Sequence, residues 1–190
     1  PGTEYIPFAS VSEHCKNNSI TCVAPTKTFN LAGLQTAAVI VPDAALRHRV
    51  NRGLNTDEVA EPNVFAAIAP IAAFDRGREW LEELREYLWE NRKFAEDFIR
   101  EEIPELRTVS ADATYLLWID CNALPRDLSK LAEFIRKESG LYVCDGREYG
   151  NGYGFLRMNL ACRRELLKEG LERLKRSIHS YRKGTSNGII

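Results

Sequence analysis

The chain has 190 residues and a formal net charge of −1, with 44% hydrophobic and 28% charged residues and a pI near 6.4. That balance excludes the strongly basic surface of a nucleic-acid or anionic-membrane binder. No apolar run approaches the ~20 residues that span a bilayer, and no basic stretch followed by an apolar core opens the chain, so no secretory signal is expected. Residues 1–18 read as loop, broken by Pro1, Gly2, Pro7, Asn17 and Asn18. A short β-type run, Ile20 to Ala24, is interrupted by Pro25-Thr26-Lys27-Thr28-Phe29-Asn30 and followed by a second apolar run, Thr36 to Val41. The second run is β-branched and uniformly apolar, the pattern of a central strand buried on both faces. Pro42 and Asp43 begin a helix of about a dozen residues. Residues 59–75 form a second helix, rich in alanine and apolar nearly all round, which implies burial in something larger, with a kink expected at Pro70.

A long amphipathic helix is predicted from Arg78 to Glu102, because Trp80, Leu84, Tyr87, Leu88, Phe94, Phe98 and Ile99 recur at helical spacing before Pro104. The rhythm then changes. Thr114 to Asp120 reads as a strand, Asp127 to Ser139 as a helix closed by Gly140, Leu141 to Cys144 and Phe155 to Leu160 as strands, and Arg163 to Tyr181 as a closing helix. The tail 183–190 is expected to be mobile. This alternation predicts a small α/β layer with helices against a short sheet. The first 75 residues supply too little sheet to cover two very apolar helices, so they call for partner strands from upstream sequence or another chain.

Five cysteines, Cys15, Cys22, Cys121, Cys144 and Cys162, form no CxxC pair. Three of them, Cys22, Cys121 and Cys144, sit in apolar runs. Reduced, mostly buried thiols of a cytoplasmic protein are therefore expected rather than disulfides. His14, His48 and His179 show no ligand spacing, and no metal site is expected. Pro1 opens the chain and Met158 is its only methionine, which fits a sequence cut from a longer one.

The first candidate for chemistry is Lys27, placed between two apolar strands in a turn containing Asn30 and Gly33. A desolvated lysine is a nucleophile that forms Schiff bases. Taken alone, such a lysine is more often an ordinary surface side chain. The stretch Ile20 to Thr36, however, resembles the lysine segment of fold-type I pyridoxal-phosphate (PLP) enzymes. It is most similar to the aminotransferase class I/II branch that holds the cystathionine β-lyases (C–S lyases) of the MalY and PatB type. Pro1-Gly2 and Tyr5 to Ser10 resemble the segment that precedes the lysine strand there. Ala113 to Asp120 resembles the first strand of the carboxyl-terminal domain. Gly154 to Ala161, followed by Arg163 and Arg164, resembles the carboxylate-arginine strand. The resemblance covers all but the tail.

It implies a partial PLP-dependent transferase fold of the aspartate aminotransferase type. Residues 1–76 would be the end of the large, PLP-binding domain, residues 77–182 the linking helix and small α/β domain, and residues 183–190 a flexible tail. It implies that Lys27 joins the cofactor covalently and then acts as base at the substrate Cα. Thr26 would place a hydroxyl near the cofactor phosphate, or serve simply as a turn residue. Arg157 would grip the α-carboxylate of an amino-acid substrate; without the lysine motif it would be read as a strand arginine paired with a glutamate. Asn30 is read as a turn stabiliser, and Tyr115 and Trp118 as core. Two departures stand out. Ala24 occupies a position that is serine in many relatives. Gln35 stands where many aminotransferases carry a phosphate-binding arginine, which favours a lyase. The resemblance also implies a cytoplasmic homodimer, without nucleic-acid or membrane partners. The pyridine-nitrogen aspartate, stacking ring and phosphate turn of such enzymes come before the lysine and have no counterpart in the chain. Weak or absent PLP binding and negligible activity are therefore expected of these 190 residues alone. Three readings stay open: a C–S β-lyase, an aminotransferase, and a non-catalytic fragment that self-associates.

Overall fold

The computed structural model describes residues 4–125 and 127–184. The start of the opening segment (residues 1–3) and the last six residues of the tail lie outside them. The chain divides into two compact units, residues 1–84 and 85–190, with the boundary inside one long helix. Among the described residues, no helix is long and apolar enough to cross a membrane.

The first unit opens with more structure than the loop expected there. A 3-10 turn covers Phe8–Ser10, and a short helix, α1 (Glu13–Asn17), starts at Ser12, whose hydroxyl accepts from the Cys15 N–H at 3.1 Å. That is an ordinary N-cap, legible in Ser12-Glu13 but masked by the neighbouring breakers. Strand β1 (Thr21–Val23) pairs antiparallel with β2 (Ala38–Ile40), Cys22 facing Val39. Among the described residues these two strands form the whole sheet. This corrects the expectation of a central strand buried on both faces: Ala38, Val39 and Ile40 are all exposed, and only Val41 beyond them is buried. A two-stranded ribbon with no layer against it leaves even β-branched side chains in solvent.

Asp43 caps α2 (Ala44–Thr56) by accepting from the Leu46 N–H at 2.7 Å, which leaves Pro42 outside the helix rather than in its first turn. Helix α3 (Phe65–Arg76) carries Pro70 in its interior. Proline has no N–H for the carbonyl four residues back. The Ala66 carbonyl instead accepts from the Thr36 hydroxyl at 3.2 Å, so a side chain from the residues before β2 supplies the missing donor. The expected burial of α3 is not met within this chain, since Phe65, Ile68, Ile71 and Phe74 are exposed and Ala66 alone is buried.

Helix α4 (Arg78–Glu102) has the bounds its apolar spacing predicts. From Arg85 onward it belongs to the second unit, which holds a four-stranded antiparallel sheet in the order β3 (Arg107–Thr108), β4 (Leu116–Asp120), β6 (Phe155–Asn159), β5 (Cys144–Asp145). Leu117 and Ile119 of β4 face Met158 and Leu156 of β6 in register, and all four are buried. With Ala95 and Ile99 of α4, Leu131 and Ile135 of α5 (Leu131–Ser139), and Leu167, Leu171, Leu174 and Ile178 of α6 (Arg164–Lys183), they form one core. One sheet face is thus covered by helices. Asp127 caps a 3-10 turn, Leu128–Lys130, ahead of α5, and Gly140 ends α5 in the left-handed region at φ 72°. The strand expected over Leu141 to Cys144 shrinks to two residues, and α6 runs on to Lys183, so the expected mobile tail does not begin there.

The α4 segment within this unit buries two polar side chains, Asn91 and Arg92. Asn91 donates to the carbonyls of Leu160 and Cys162, both at 3.0 Å, and accepts from Arg164 Nε at 2.6 Å. Arg92 donates to the Leu116 carbonyl at 2.9 Å and pairs with Glu96 at 3.2 Å. These side chains add donors to carbonyls at strand ends, and the Leu160 carbonyl takes a second one from the Cys162 N–H at 2.9 Å.

Candidate active site

Lys27 and Thr26 stand in one tight turn between β1 and β2. Its backbone closes on itself: the Phe29 N–H donates to the Pro25 carbonyl at 2.9 Å and the Leu31 N–H to the Thr26 carbonyl at 3.1 Å. Asn30 takes the left-handed region at φ 54°, which suits asparagine better than most residues and agrees with its reading as a turn residue. Gln35 does the same at φ 48°, ending a second short turn, Ala32–Leu34. The Lys27 side chain is exposed, and among the described residues it meets no hydrogen-bonding or ionic partner. Thr26 is half-buried beside it. The expected desolvation of the amine is therefore not provided by this unit's own side chains.

The sequence did not reveal what anchors this turn. The Phe29 ring stacks on Trp80 at 6.1 Å between centroids and meets Phe74 edge-on at 5.4 Å. Gly77 makes room for it, since a Cβ there would lie 2.7 Å from Phe29 Cε1 and 2.4 Å from the Ala73 carbonyl oxygen. The ring two residues after Lys27 is thus seated on the junction of α3 and α4. Phe29 is distant in sequence from Gly77 and Trp80, and no local pattern signalled the contact.

Arg157 lies in the second unit, on β6, and faces away from the helices. Its register partners are Trp118 on β4 and Cys144 on β5. The guanidinium carbon sits 4.1 Å from the centre of the Tyr149 ring, and Nη2 donates to Cys144 Sγ at 3.4 Å. The hydrogen bond to Cys144 is the foremost cause holding the guanidinium above its ordinary, already high, pKa. The expected alternative, a surface glutamate pair, is absent among the described residues. Trp118 is not core, as had been read. It is half-buried on the same face as Arg157 and meets Tyr149 edge-on at 5.6 Å, helping to hold the ring under the guanidinium. Tyr149 ends Gly146–Tyr149, a 3-10 turn capped by Asp145, and no motif singled it out beforehand.

All five cysteines are free. Burial pushes the Cys121 thiol up to about 12. Cys22 departs from the expected burial and is exposed, because β1 has no covering layer. Among the described residues, no cluster of three or more histidine, cysteine or acidic side chains could hold a metal. Two surface grooves of the second unit, one between α5 and α6 and one between the end of α4 and α6, contain neither Thr26, Lys27 nor Arg157.

The first unit thus offers an accessible primary amine on a turn closed by its own backbone, and the second a guanidinium that, among the described residues, meets no carboxylate at ion-pair distance. An accessible amine of this kind fits the aldehyde of PLP, and an unpaired guanidinium fits a carboxylate. Residues 4–174 match the family Aminotransferase class I and II. The chain is 37% identical over 178 residues to cystathionine β-lyase PatB of Bacillus subtilis, covering 93% of this chain and 46% of that protein. It is 30% identical over 180 residues to protein MalY of Escherichia coli, covering 94% and 45%. The structure is similar to that of cystalysin from Treponema denticola, which contains a pyridoxal 5'-phosphate cofactor. The TM-score is 0.85 at 29% identity, over 95% of this chain and 46% of that one. The chain spans about half the length of the curated relatives it matches, and within that span it has the α/β architecture of their fold. With Lys27 on its turn and Arg157 on its strand, this chain belongs to the aminotransferase class I and II family.

Proposed function

We propose that this chain is the carboxyl-terminal portion of a PLP-dependent C–S β-lyase that releases a thiol, pyruvate and ammonia from cystathionine-like amino acids. The observation that carries the reading is the exposed Lys27 amine on a turn locked by its own backbone and by Phe29. The likeness to lyases of the PatB and MalY type supports the choice of reaction.

Lys27 would hold the cofactor covalently, with the Thr26 hydroxyl beside it toward the phosphate. When bound, PLP supplies the electron sink that stabilises the charge left at the substrate Cα. Lys27 would also supply the amine that takes the substrate Cα proton as general base. Arg157 grips the α-carboxylate through two parallel hydrogen bonds, and the Tyr149 ring beneath it limits how far the guanidinium can swing. Gln35, exposed and left-handed, offers no cationic contact to a phosphate, so that duty falls elsewhere in the protein.

The test uses the whole protein that carries this chain. L-cystathionine without added keto acid is expected to yield free thiol and pyruvate, and Lys27→Ala to lower the rate by about 10³-fold, the scale of a lost general base. Turnover only with a keto acid, and without thiol release, would establish the aminotransferase instead. The 190-residue chain by itself is expected to bind PLP weakly and to show negligible turnover. A stable yellow, borohydride-reducible adduct at Lys27 with thiol release would overturn that. A second reading, a non-catalytic piece that self-associates, is favoured by the exposed Phe65, Ile68, Ile71 and Phe74 of α3. A monomer in size-exclusion chromatography across concentrations argues against it.

A further inference from the structure

Cys144 has no part in the chemistry above, yet its sulfur is the nearest nucleophile to the guanidinium assigned to carboxylate binding. Cys144 and Arg157 are directly opposed on neighbouring antiparallel strands, and Nη2 reaches Sγ at 3.4 Å. Tyr149 closes the site from below at 4.1 Å from the guanidinium carbon, and Trp118, the other register partner of Arg157, braces that ring. Cys144 is half-buried rather than sealed, and Tyr149 is 44% exposed, so a small molecule can enter. The three side chains combine a docked cation, an aromatic floor and a thiol within one hydrogen bond of each other. An acid whose electrophilic carbon is one bond from its carboxylate would be delivered by Arg157 directly against the sulfur.

Resting on the reading of Arg157 as a carboxylate anchor, we infer that Cys144, Arg157 and Tyr149 form a modification site selective for small electrophiles that carry a carboxylate, such as α-halo acids. The thiolate is the attacking form. With iodoacetate, Sγ forms a bond to the methylene carbon, the carbon–iodine bond breaks, iodide leaves with the bonding pair, and the thiol proton passes to water. The product places its own carboxylate beside Arg157, so modification closes the site to other acids. The neutral analogue, iodoacetamide, has the same reacting carbon but no charge for the guanidinium to bind.

The experiment compares alkylation of the intact chain by iodoacetate and by iodoacetamide, read cysteine by cysteine by mass spectrometry, with exposed Cys22 as internal reference. The iodoacetate-to-iodoacetamide rate ratio at Cys144 is expected to exceed that at Cys22 by roughly tenfold, the scale of one charge-assisted contact. It is expected to fall to the Cys22 value in Arg157→Met. Equal ratios at the two cysteines in the unaltered chain overturn the inference, and that comparison does not depend on any variant folding. A preference that survives Arg157→Met overturns it as well. The underlying reading is checked separately with propionate, which carries the carboxylate but cannot alkylate. If propionate shifts the Arg157 Nε–H resonance while Cys144 shows no preference, the modification site fails and the anchor stands. If propionate shifts nothing and Cys144 shows no preference, both fail.

Discussion

A fully buried asparagine does as much to define the second unit as any leucine in it. Asn91 is matched at all three of its polar contacts, two carbonyls and the Arg164 Nε. Asn91→Leu removes the side-chain partner of the Cys162 carbonyl and of Arg164 Nε and one of two donors to the buried Leu160 carbonyl, and a loss of about 1–3 kcal/mol is expected in urea unfolding of the second unit. Gly77 presents the opposite case, a residue required for what it lacks. Gly77→Ala forces a methyl into the Phe29 ring and the Ala73 carbonyl, at a cost of about 1–3 kcal/mol. The Phe29 ring resonances are expected to shift with it, since the ring must leave its seat. Cys121 sets a pH dependence. The folded thiol keeps its proton to about pH 12, whereas an unfolded one releases it from 9.0 upward. In that window only the unfolded chain ionises, so stability present below it is lost as pH rises, by about 1.4 kcal/mol per pH unit. Cys121→Ala should flatten that slope in urea midpoints measured across alkaline pH. The flattening is partial, because burial raises the Cys162 thiol in the same direction.

At the scale of elements, α3 shows why an apolar pattern alone misleads. Its alanines and isoleucines form a helix, but α3 contributes only Ala66 to any buried surface among the described residues. Besides the Phe29 ring against Phe74, what ties it locally is polar: the Thr36 hydroxyl on the carbonyl that Pro70 leaves free, and Asn63, which donates to the Leu34 carbonyl at 2.6 Å and accepts from the Phe65 N–H at 3.0 Å. Thr36→Val keeps the shape and removes the donor. It is expected to lower stability of the first unit by about 1 kcal/mol and to speed amide exchange in the turn of helix after Ala66. Helix α4 and strands β4 and β6 behave otherwise. The apolar face of α4 from Phe94 onward and those of both strands find a core, while Trp80 and Tyr87 nearer the start of α4 stay exposed.

For the whole molecule, the contrast between the units is the main physical fact. Among the described residues, the second holds a continuous core of twenty buried side chains, while the first buries Val41 and Ala66 alone of its hydrophobic residues. Burial of apolar surface supplies most of folding stability, so the two units cannot be equally stable. Hydrogen exchange is expected to be orders of magnitude slower at Leu117, Ile119, Leu156 and Leu171 than anywhere in β1, β2 or α3. Thermal unfolding followed by near-ultraviolet and far-ultraviolet signals should not coincide. Coincident transitions with uniform protection would mean that the first unit is covered in solution.

Sequence alone determined the order of the helices and of strands β4 to β6 between Arg78 and Tyr181 and the turn that carries Lys27, because apolar spacing, caps and breakers are local properties of the chain; the edge strand β3, too short to carry a pattern, it left unread. It also determined the family, through three ordered motifs. Tertiary structure alone decided that β2 and α3 stand exposed, that Asn91 and Arg92 point inward, and that Phe29 sits on Gly77. It alone placed Tyr149 and Cys144 around Arg157. The physical reason is that burial and side-chain partners depend on residues distant in sequence. An apolar pattern states what a segment can bury, and only the neighbours present decide whether it does.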